Sequence, residues 1–185
     1  MDQALVKAFI DSKEATSLME NLKNALPWQQ TEITVFGKKH PIPRLNAWVG
    51  APDANMVYSK TTFYPKPWTE PLLRLKHKIE TWCQHPFNSV LANLYRNGQD
   101  KMGWHSDDEK ELGTNPFIAS LSLGPDRDFV MKHKTLKHQC KVHLQHGDLL
   151  TMYGTTQHHY KHALPQRLRL KIPRINLTFR QIIKH

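Results

Sequence analysis

The sequence predicts an α+β fold whose second half is a β-sandwich or a jelly roll. Two segments before Pro86 place apolar residues at helical spacing, and the chain after Pro86 consists of short segments with strand-like patterns. Strands and helices do not alternate, so a parallel sheet with crossover helices is not expected. A chain of 185 residues suffices for one core, and we expect residues 1–185 to form a single domain.

The first helix is predicted over residues 11–26, DSKEATSLMENLKNAL. Asp11 is placed to cap it, with Glu14 at the third helical position, an arrangement that satisfies free amide groups at the start of a helix. Leu18 and Leu22 repeat at helical spacing, which marks the side that packs against the rest of the protein.

The region that follows, residues 31–64, is predicted to be rich in hairpins. Short β-like runs, ITVF and MVYSKTTFY, are separated there by the turn-forming segments FGKKHPIPR and VGAPDAN. The junction YPKPW (64–68) is stiffened by two prolines and leads into a second helix. This helix is predicted over residues 69–83, and its apolar side consists of Leu72, Leu75, Ile79 and Trp82.

Five segments beyond Pro86 are short, alternating or apolar, and bounded by Gly, Pro, Asn or Asp, which is typical of strands joined by turns. They are SVLANLY (89–95), IASLSL (118–123), DFVMKHK (128–134), KVHLQHGDLLTMYG (141–154) and PRINLTFRQII (173–183).

The charge of the chain favours a polyanionic partner. Lys and Arg number 26 against 16 Asp and Glu, a net charge of +10, and nucleic acid is the usual partner of such an excess. Charge alone also fits a basic protein with no particular partner. Cys83 and Cys140 lie in unlike contexts, and neither a secretory signal nor a membrane span is evident, so we expect an intracellular, monomeric protein.

A candidate metal site lies in MGWHSDDE, residues 102–109. His105 and Asp107 are two positions apart, so both side chains reach one point from a strand or its end. With a second, distant His they would form the 2-His-1-carboxylate triad of non-haem Fe(II) oxygenases. The chain contains a second such pair, His146 and Asp148, but Gly-Asp at the head of an apolar strand is better explained as a turn.

The third ligand is expected in TTQHHYKHALP, residues 155–165. This segment contains His158, His159 and His162. Spacing alone does not choose among the three.

Two predicted strands carry a polar side. Asn93 and Tyr95 project together from the strand 89–95, and four polar residues of the last strand alternate with apolar ones. These four are Arg174, Asn176, Thr178 and Arg180. Two arginines inside a core are unfavourable unless an anion pairs with them, and a dicarboxylate such as 2-oxoglutarate would satisfy both. A basic outer surface that contacts DNA phosphates is the alternative.

Taken together, these segments resemble the AlkB-type Fe(II)/2-oxoglutarate-dependent nucleic-acid dealkylases, and most closely the branch of the human DNA-repair members. The motifs that carry the resemblance occur in the family's order. They are NLYRNGQDKMGWHSDDE (93–109), IASLSLG-x-x-RDF-x-x-KHK (118–134), HALP (162–165) and PRINLTFR (173–180). The resemblance implies a double-stranded β-helix (jelly roll) core over 86–185, under a nucleotide-recognition lid over 28–68.

The resemblance also implies roles for individual residues. The iron ligands would be His105, Asp107 and His162. The residues that bind 2-oxoglutarate would be Arg174 and Arg180, helped by Asn93, Tyr95, Asn176 and Thr178.

On the substrate side, the resemblance assigns contact with the damaged base to Glu109, whose carboxylate suits a cationic methylated base. Tyr58 matches an aromatic residue that stacks on the flipped base, and Trp48 is a second candidate for that wall; hairpin packing is the alternative for both. Phe36 matches a hydrophobic finger inserted into the duplex, with burial as its alternative. Asp108 is expected to be solvated.

The implied reaction is the oxidative demethylation of bases such as 1-methyladenine and 3-methylcytosine in DNA. It would use Fe(II), O2 and 2-oxoglutarate and release formaldehyde, succinate and CO2. The basic run 131–143 could contact phosphates, as could Arg167, Arg169 and Lys171. The protein would act in the cytoplasm of a bacterium or the nucleus of a eukaryote.

Three alternatives remain open at this point. The substrate of the same chemistry could be methylated RNA or a protein side chain. A protein of a different class, a basic nucleic-acid-binding protein with a structural zinc site, would prefer four protein ligands and fold only with metal.

Overall fold

The computed structural model describes residues 1–35, 37–58 and 61–183. The helices are α1 (Ser12–Ala25), α2 (Glu70–Cys83) and α3 (Thr156–His159), with a 3₁₀ turn at Lys110–Leu112. The first seven strands are β1 (Asp2–Val6), β2 (Glu32–Val35), β3 (Lys38–Pro41), β4 (Leu45–Gly50), β5 (Met56–Tyr58), β6 (Thr61–Phe63) and β7 (Ser89–Tyr95). The others are β8 (Met102–His105), β9 (Ile118–Leu123), β10 (Arg127–His133), β11 (Gln139–Leu144), β12 (Leu149–Tyr153), β13 (Tyr160–Leu164) and β14 (Arg174–Arg180).

Two antiparallel sheets form the body of the protein. The larger has six strands in the order β1-β12-β9-β14-β7-β4, and the smaller has four in the order β11-β10-β13-β8. Residues from both sheets line a narrow pocket between them. This arrangement agrees with the predicted α+β class.

The main apolar core lies between the two long helices and the outer face of the larger sheet. Leu22 of α1 and Leu72 of α2 are fully buried there against Val90 of β7 and Leu177 of β14. Because neighbouring residues of a strand point to opposite sides, the polar residues of β7 and β14 are turned toward the smaller sheet.

The two long helices form where the sequence predicts them, with one difference in packing. The Asp11 side chain accepts a hydrogen bond from the amide of Glu14 at 2.8 Å, so the predicted cap is confirmed. Trp82, expected on the apolar side of α2, is instead 45% exposed and contacts only the ring edge of Phe9 among the described aromatic residues. It lies in the last turn of α2, where the neighbouring Cys83 packs against the core instead.

The larger sheet includes two strands from outside the range predicted for the core. β1 pairs with β12, and β4 pairs with β7 along its whole length. The predicted core range 86–185 omits both strands, and β4 falls inside the range predicted for the lid, 28–68. The hairpins β2–β3 and β5–β6 lie in that range as separate two-stranded sheets, as the turn-rich sequence predicts.

None of the helices in the described residues combines the length and the apolar composition needed to cross a bilayer.

Candidate active site

His105, Asp107 and His162 come together at one end of the smaller sheet. His105 ends β8, and His162 on β13 is its direct cross-strand partner. The two Nε2 atoms are 3.1 Å apart, and His105 Nε2 lies 3.7 Å from Asp107 Oδ1. One ligand atom from each of the three residues lies within 4.8 Å of the others. The structure therefore brings together the three residues that were predicted as metal ligands.

One imidazole of the cluster is oriented by a hydrogen bond, and the other is kept neutral by burial. His105 Nδ1 lies 2.9 Å from the carbonyl oxygen of Gly103; when Nδ1 carries the proton and donates it there, Nε2 presents its lone pair to the cluster. Burial, together with the nearby His105, lowers the pKa of His162 to about 3. His162 is therefore neutral at neutral pH.

Asp107 is buried and is fixed from two directions. Its backbone amide donates to Gln157 Oε1 at 2.9 Å, and its Oδ1 accepts from Arg180 Nη2 at 2.7 Å. Burial alone would raise the pKa of Asp107, but Arg180 and the two histidines hold it below its usual value. Asp107 thus remains a carboxylate aimed at the two imidazoles.

The second His-x-Asp pair is used for structure, as its turn-like sequence predicts. His146 Nδ1 accepts a hydrogen bond from the Gly124 amide at 2.9 Å. Asp148 is buried, accepts from the Ala8 amide at 3.0 Å, and pairs with Lys7 at 2.7 Å. Neither side chain belongs to a metal-ligand cluster among the described residues.

The other two histidines of the segment 155–165 also lie outside the cluster. His158 Nε2 contacts Asn115 Oδ1 at 3.0 Å, and the ring of His159 stacks on His133. His162 differs from His158 and His159 because it lies on β13 opposite His105, a position that sequence spacing could not reveal.

The six residues predicted to bind 2-oxoglutarate line the same inter-sheet pocket as the three metal ligands. They are Asn93, Tyr95, Arg174, Asn176, Thr178 and Arg180. Ser120 and Ser122 of β9 complete the polar surface, since the Asn176 amide donates to Ser120 Oγ and Arg174 to Ser122 Oγ. The two serines alternate with Ala119, Leu121 and Leu123, a pattern that could have identified them from the sequence.

Arg174 is a buried cation that lacks an anionic partner. Nη2 donates to Ser122 Oγ at 2.8 Å, the guanidinium lies over the Tyr95 ring at 5.6 Å, and Nε is buried without a hydrogen-bond acceptor. No carboxylate within the described residues forms a salt bridge with it. Burial lowers the pKa of Arg174 to about 10, so the group stays charged at neutral pH. Such a group is satisfied by a bound carboxylate.

Arg180 differs from Arg174 because its partner is part of the protein. A bound dicarboxylate was expected to pair with both arginines; Arg180 already donates to Asp107 in the structure, and its contact with 2-oxoglutarate stays a prediction. The Arg180 side chain also borders a second, larger cleft, so it lies between the two spaces.

The larger cleft has a volume of about 690 Å³ and opens beside the metal-ligand cluster. Its lining includes Trp48, Arg44, Trp104, His105, Asp107, Glu109 and Lys161. Trp48 is 7% exposed, and its Nε1 donates to the carbonyl of Ala54 at 2.8 Å, so it is packed in an apolar cluster and forms part of the cleft wall.

The remaining predicted substrate residues are described to different extents. Glu109 borders the cleft, and its Oε2 is buried without a hydrogen-bond donor among the described residues. Burial, assisted by Asp107 and opposed by Arg180, raises the pKa of Glu109. Asp108 is exposed and pairs with Lys134 at 3.4 Å, in line with a solvated residue. For Tyr58 the structure describes only the backbone, in β5, and Phe36 lies outside the described residues.

Residues 2–180 match the family model described as the 2OG-Fe(II) oxygenase superfamily. The chain belongs to this superfamily. It is 43% identical over 188 residues to Alpha-ketoglutarate-dependent dioxygenase alkB homolog 3 of Bos taurus and 42% identical to the Homo sapiens protein of that name, covering 96% of this chain in each case. It is 36% identical over 181 residues to DNA oxidative demethylase ALKBH2 of Homo sapiens, covering 92% of this chain and 69% of that protein.

The chain spans 65% of the length of these two alkB homolog 3 proteins. In three dimensions it resembles the solved structure of OsALKBH1 with a TM-score of 0.71, covering 97% of both chains at 17% identity. The fold likeness confirms the predicted jelly-roll class. Family membership confirms the AlkB-type resemblance and the predicted cofactor set of Fe(II), 2-oxoglutarate and O2.

The residues of this superfamily member fit those groups. Two imidazole nitrogens and one carboxylate oxygen are the donor set of non-haem Fe(II) oxygenases and leave further coordination positions open. The orphaned Nε of Arg174, in the same pocket, fits a carboxylate of 2-oxoglutarate.

Gln157 was missed by the sequence analysis, and it gives a first test of the metal site. Gln157→Ala removes the acceptor that fixes the Asp107 amide, and we expect metal affinity to fall roughly 10- to 100-fold, as for other residues that orient metal ligands. Anaerobic titration with Fe(II) or Mn(II) measures this. Gln166→Ala is the control, because Gln166 is exposed and bonds only to the Gln99 carbonyl among the described residues. Equal affinities for the two variants would contradict the assignment.

Proposed function

We propose that the protein is an Fe(II)/2-oxoglutarate-dependent dioxygenase that demethylates N-alkylated bases in DNA, such as 1-methyladenine and 3-methylcytosine. The observation that carries the proposal is the pocket shared by the His105, Asp107 and His162 cluster and a buried Arg174 without a carboxylate partner. Relatives named DNA oxidative demethylase support the choice of substrate class.

His105, Asp107 and His162 would hold Fe(II) with their converging ligand atoms. Bound Fe(II), together with O2 and 2-oxoglutarate, supplies the oxidation of the N-methyl carbon, coupled to decarboxylation of 2-oxoglutarate to succinate. The hydroxymethyl group formed on the base then leaves as formaldehyde and restores the base. The chain itself contributes position and charge rather than bond-making groups.

The two arginines have separate tasks in this proposal. Arg174 would pair with a carboxylate of 2-oxoglutarate at the closed end of the inter-sheet pocket, where its Nε has no other acceptor. Arg180 keeps Asp107 ionised and oriented by donating to Oδ1. The Thr178 hydroxyl donates to Asn176 Oδ1, and the Asn176 amide donates to Ser120 Oγ, which fixes the polar wall between the two arginines.

The substrate base would enter the larger cleft. A base methylated at adenine N1 or cytosine N3 is cationic, and Glu109 borders the cleft with one carboxylate oxygen that lacks a protein donor. The buried indole of Trp48 supplies an aromatic wall in the same cleft. The net charge of +10 favours a polyanion over a protein substrate.

Glu109→Gln tests whether charge selects the damaged base. The amide has the same size as the carboxylate but no charge. We therefore expect the preference for 1-methyladenine over the neutral lesion 1,N6-ethenoadenine to fall about tenfold, which corresponds to roughly 1.4 kcal/mol. The ratio of kcat/KM values on the two oligonucleotides measures the preference. Asp108→Asn is the matched control, since Asp108 is exposed and faces Lys134. An unchanged ratio in Glu109→Gln would remove Glu109 from base selection.

The proposed function is tested by turnover. Protein loaded anaerobically with Fe(II) and 2-oxoglutarate is exposed to O2 with oligonucleotides of DNA or RNA that carry 1-methyladenine or 3-methylcytosine. We expect formaldehyde and succinate in equal amounts, with faster turnover on DNA. Faster turnover on RNA would assign the protein to RNA demethylation, and succinate without formaldehyde on every oligonucleotide would overturn nucleic-acid demethylation.

A structural zinc protein gains no support from the site. Three ligand residues, rather than four, converge among the described residues, and one side of the cluster borders the cleft. An intracellular location, nuclear in a eukaryotic cell, accompanies the proposed DNA substrate.

A further inference from the structure

Trp104 is an exposed aromatic residue next to the metal-ligand cluster, and neither core packing nor the proposed reaction accounts for it. It precedes His105 in β8, is 41% exposed, and forms part of the rim of the larger cleft. The ammonium of Lys132 lies 4.3 Å from the centroid of the indole ring. Single exposed aromatic residues are common on protein surfaces, but an indole beside an active site offers an aromatic face on which a ligand can stack.

The strand register shows what surrounds Trp104. Met131 of β10 pairs with His162 of β13, and both are buried toward the space between the sheets. The next pair, Lys132 and Lys161, therefore projects from the opposite, outer side of the smaller sheet. Lys132 and Trp104 come from strands separated by β13, on which Lys161 is the cross-strand partner of Lys132.

The indole and Lys132 meet across β13. Ala163 follows the inward-facing His162, so it lies on the outer side like Lys132 and Lys161, and the Lys132 ammonium lies against the Trp104 ring. Trp104, Lys132 and Lys161 thus form one continuous patch, here termed the β8 platform, which reaches the cleft through Trp104 and Lys161.

The charge of the β8 platform is available to a ligand. Neither Lys132 nor Lys161 forms a salt bridge within the described part of the chain, whereas Lys141 on the same side pairs with Asp128 at 3.7 Å. Of the two nearest carboxylates along the chain, Asp107 is paired with Arg180 and Asp108 with Lys134. Two lysines beside an exposed indole therefore present net positive charge around an aromatic surface.

We propose that the β8 platform binds the nucleotides that flank the damaged base in a single strand. The indole would stack on an unpaired base, and the ammonium groups of Lys132 and Lys161 would contact the neighbouring phosphates, a combination typical of proteins that bind single strands. A base inside a duplex is already stacked and paired, so only an unpaired neighbour can use the indole. This inference rests on the proposed function, because it takes the substrate to be nucleic acid.

Binding measurements test the platform independently of turnover. Protein loaded with Mn(II) and 2-oxoglutarate is titrated into fluorescent oligonucleotides containing 1-methyladenine, as single strands and as duplexes. We expect Trp104→Ala to raise Kd for the single strand about 5- to 50-fold, because one stacked base is lost. Kd for the duplex should change less than threefold, which corresponds to about 0.65 kcal/mol. Lys132→Gln and Lys161→Gln should each lower the slope of log K against log salt by about 0.7.

Trp82→Ala is the matched control, because Trp82 is equally exposed at 45% but lies on α2 against Phe9. Its Kd should equal that of the unaltered protein. Unchanged single-strand binding in Trp104→Ala, or an equal loss in Trp82→Ala or on duplexes, would overturn the proposal. The lysine variants retain the indole, and unchanged salt slopes in both would overturn the phosphate contacts even if Trp104→Ala were unstable.

The two proposals fail in different ways. Absence of formaldehyde from every methylated oligonucleotide, together with single-strand binding that depends on Trp104, would reject the demethylase and leave the platform. Normal demethylation in Trp104→Ala with unchanged Kd would reject the platform and leave the demethylase.

Discussion

We expect His105→Ala to abolish formaldehyde release from methylated oligonucleotides, and His146→Ala to leave it near the level of the unaltered protein. The first change removes one of three converging ligand atoms, and two remaining ligands do not hold Fe(II) in a defined position. The second removes an acceptor for the Gly124 amide. His146 belongs to no metal-ligand cluster among the described residues. Formaldehyde assays at saturating Fe(II) measure both.

The comparison is informative because both residues belong to a His-x-Asp pair. His146→Ala loses hydrogen bonds to the Gly124 amide and the Thr16 hydroxyl and should lower the free energy of unfolding by about 1 to 2 kcal/mol, so its melting temperature falls while its turnover persists. His105→Ala should unfold at a temperature close to that of the metal-free unaltered protein, since the side chain is one-third exposed. Turnover lost in His146→Ala and kept in His105→Ala would move the metal site to the other pair.

The alternation of residue types along β7 and β14 predicted which side chains share a face, and the His-x-Asp pair then favoured a polar pocket over a basic outer surface. Ile175, Leu177 and Phe179 are fully buried against the helices, and Arg174 and Arg180 point to the other side of the sheet. Because a strand turns successive side chains to opposite sides, the sequence pattern translates directly into geometry. The same rule, applied to IASLSL, would have added Ser120 and Ser122.

Contacts between distant segments could not be predicted in this way. Residues 2–6 have no marked alternation, and they become a strand only because the edge of β12 is available for pairing. Trp82 has the right spacing for burial, but in the last turn of α2 the neighbouring Cys83 packs against the core and Trp82 stays exposed. Periodicity identifies the apolar side of a helix or strand, but it does not identify the segment that packs against that side.

The choice of metal ligands depended on the same kind of information. His158, His159 and His162 are equivalent in the sequence, and the register between β13 and β8 selects His162. Gln157 carries no periodic signal, since it lies in the short helix α3 and reaches the site through the Asp107 amide. The pairing of Arg180 with Asp107 joins residues 73 positions apart.

We expect Arg174→Met to raise the dissociation constant of 2-oxoglutarate at least about 100-fold, which corresponds to roughly 2.7 kcal/mol, within the range measured for loss of a buried charge pair. The Nε atom of Arg174 is buried and has no acceptor, so a bound carboxylate would satisfy it, and methionine offers no donor. Anaerobic calorimetric titration of the Mn(II)-loaded protein gives the dissociation constant directly. The dissociation constant of Arg174→Lys should lie between those of the unaltered protein and Arg174→Met, because lysine keeps the charge but lacks the planar guanidinium.

The stability of the ligand-free protein separates this role from a structural one. A buried cation without an anion is unfavourable, so methionine at this position should leave the melting temperature of the ligand-free protein unchanged or raise it. The stabilisation by 2-oxoglutarate, about 2.7 kcal/mol at 100 times Kd, should disappear at the same concentration. Arg74→Met is the control, since Arg74 is exposed on α2 and pairs with Glu70. Lower stability without ligand, combined with an unchanged dissociation constant, would show that Arg174 serves the fold and not the co-substrate.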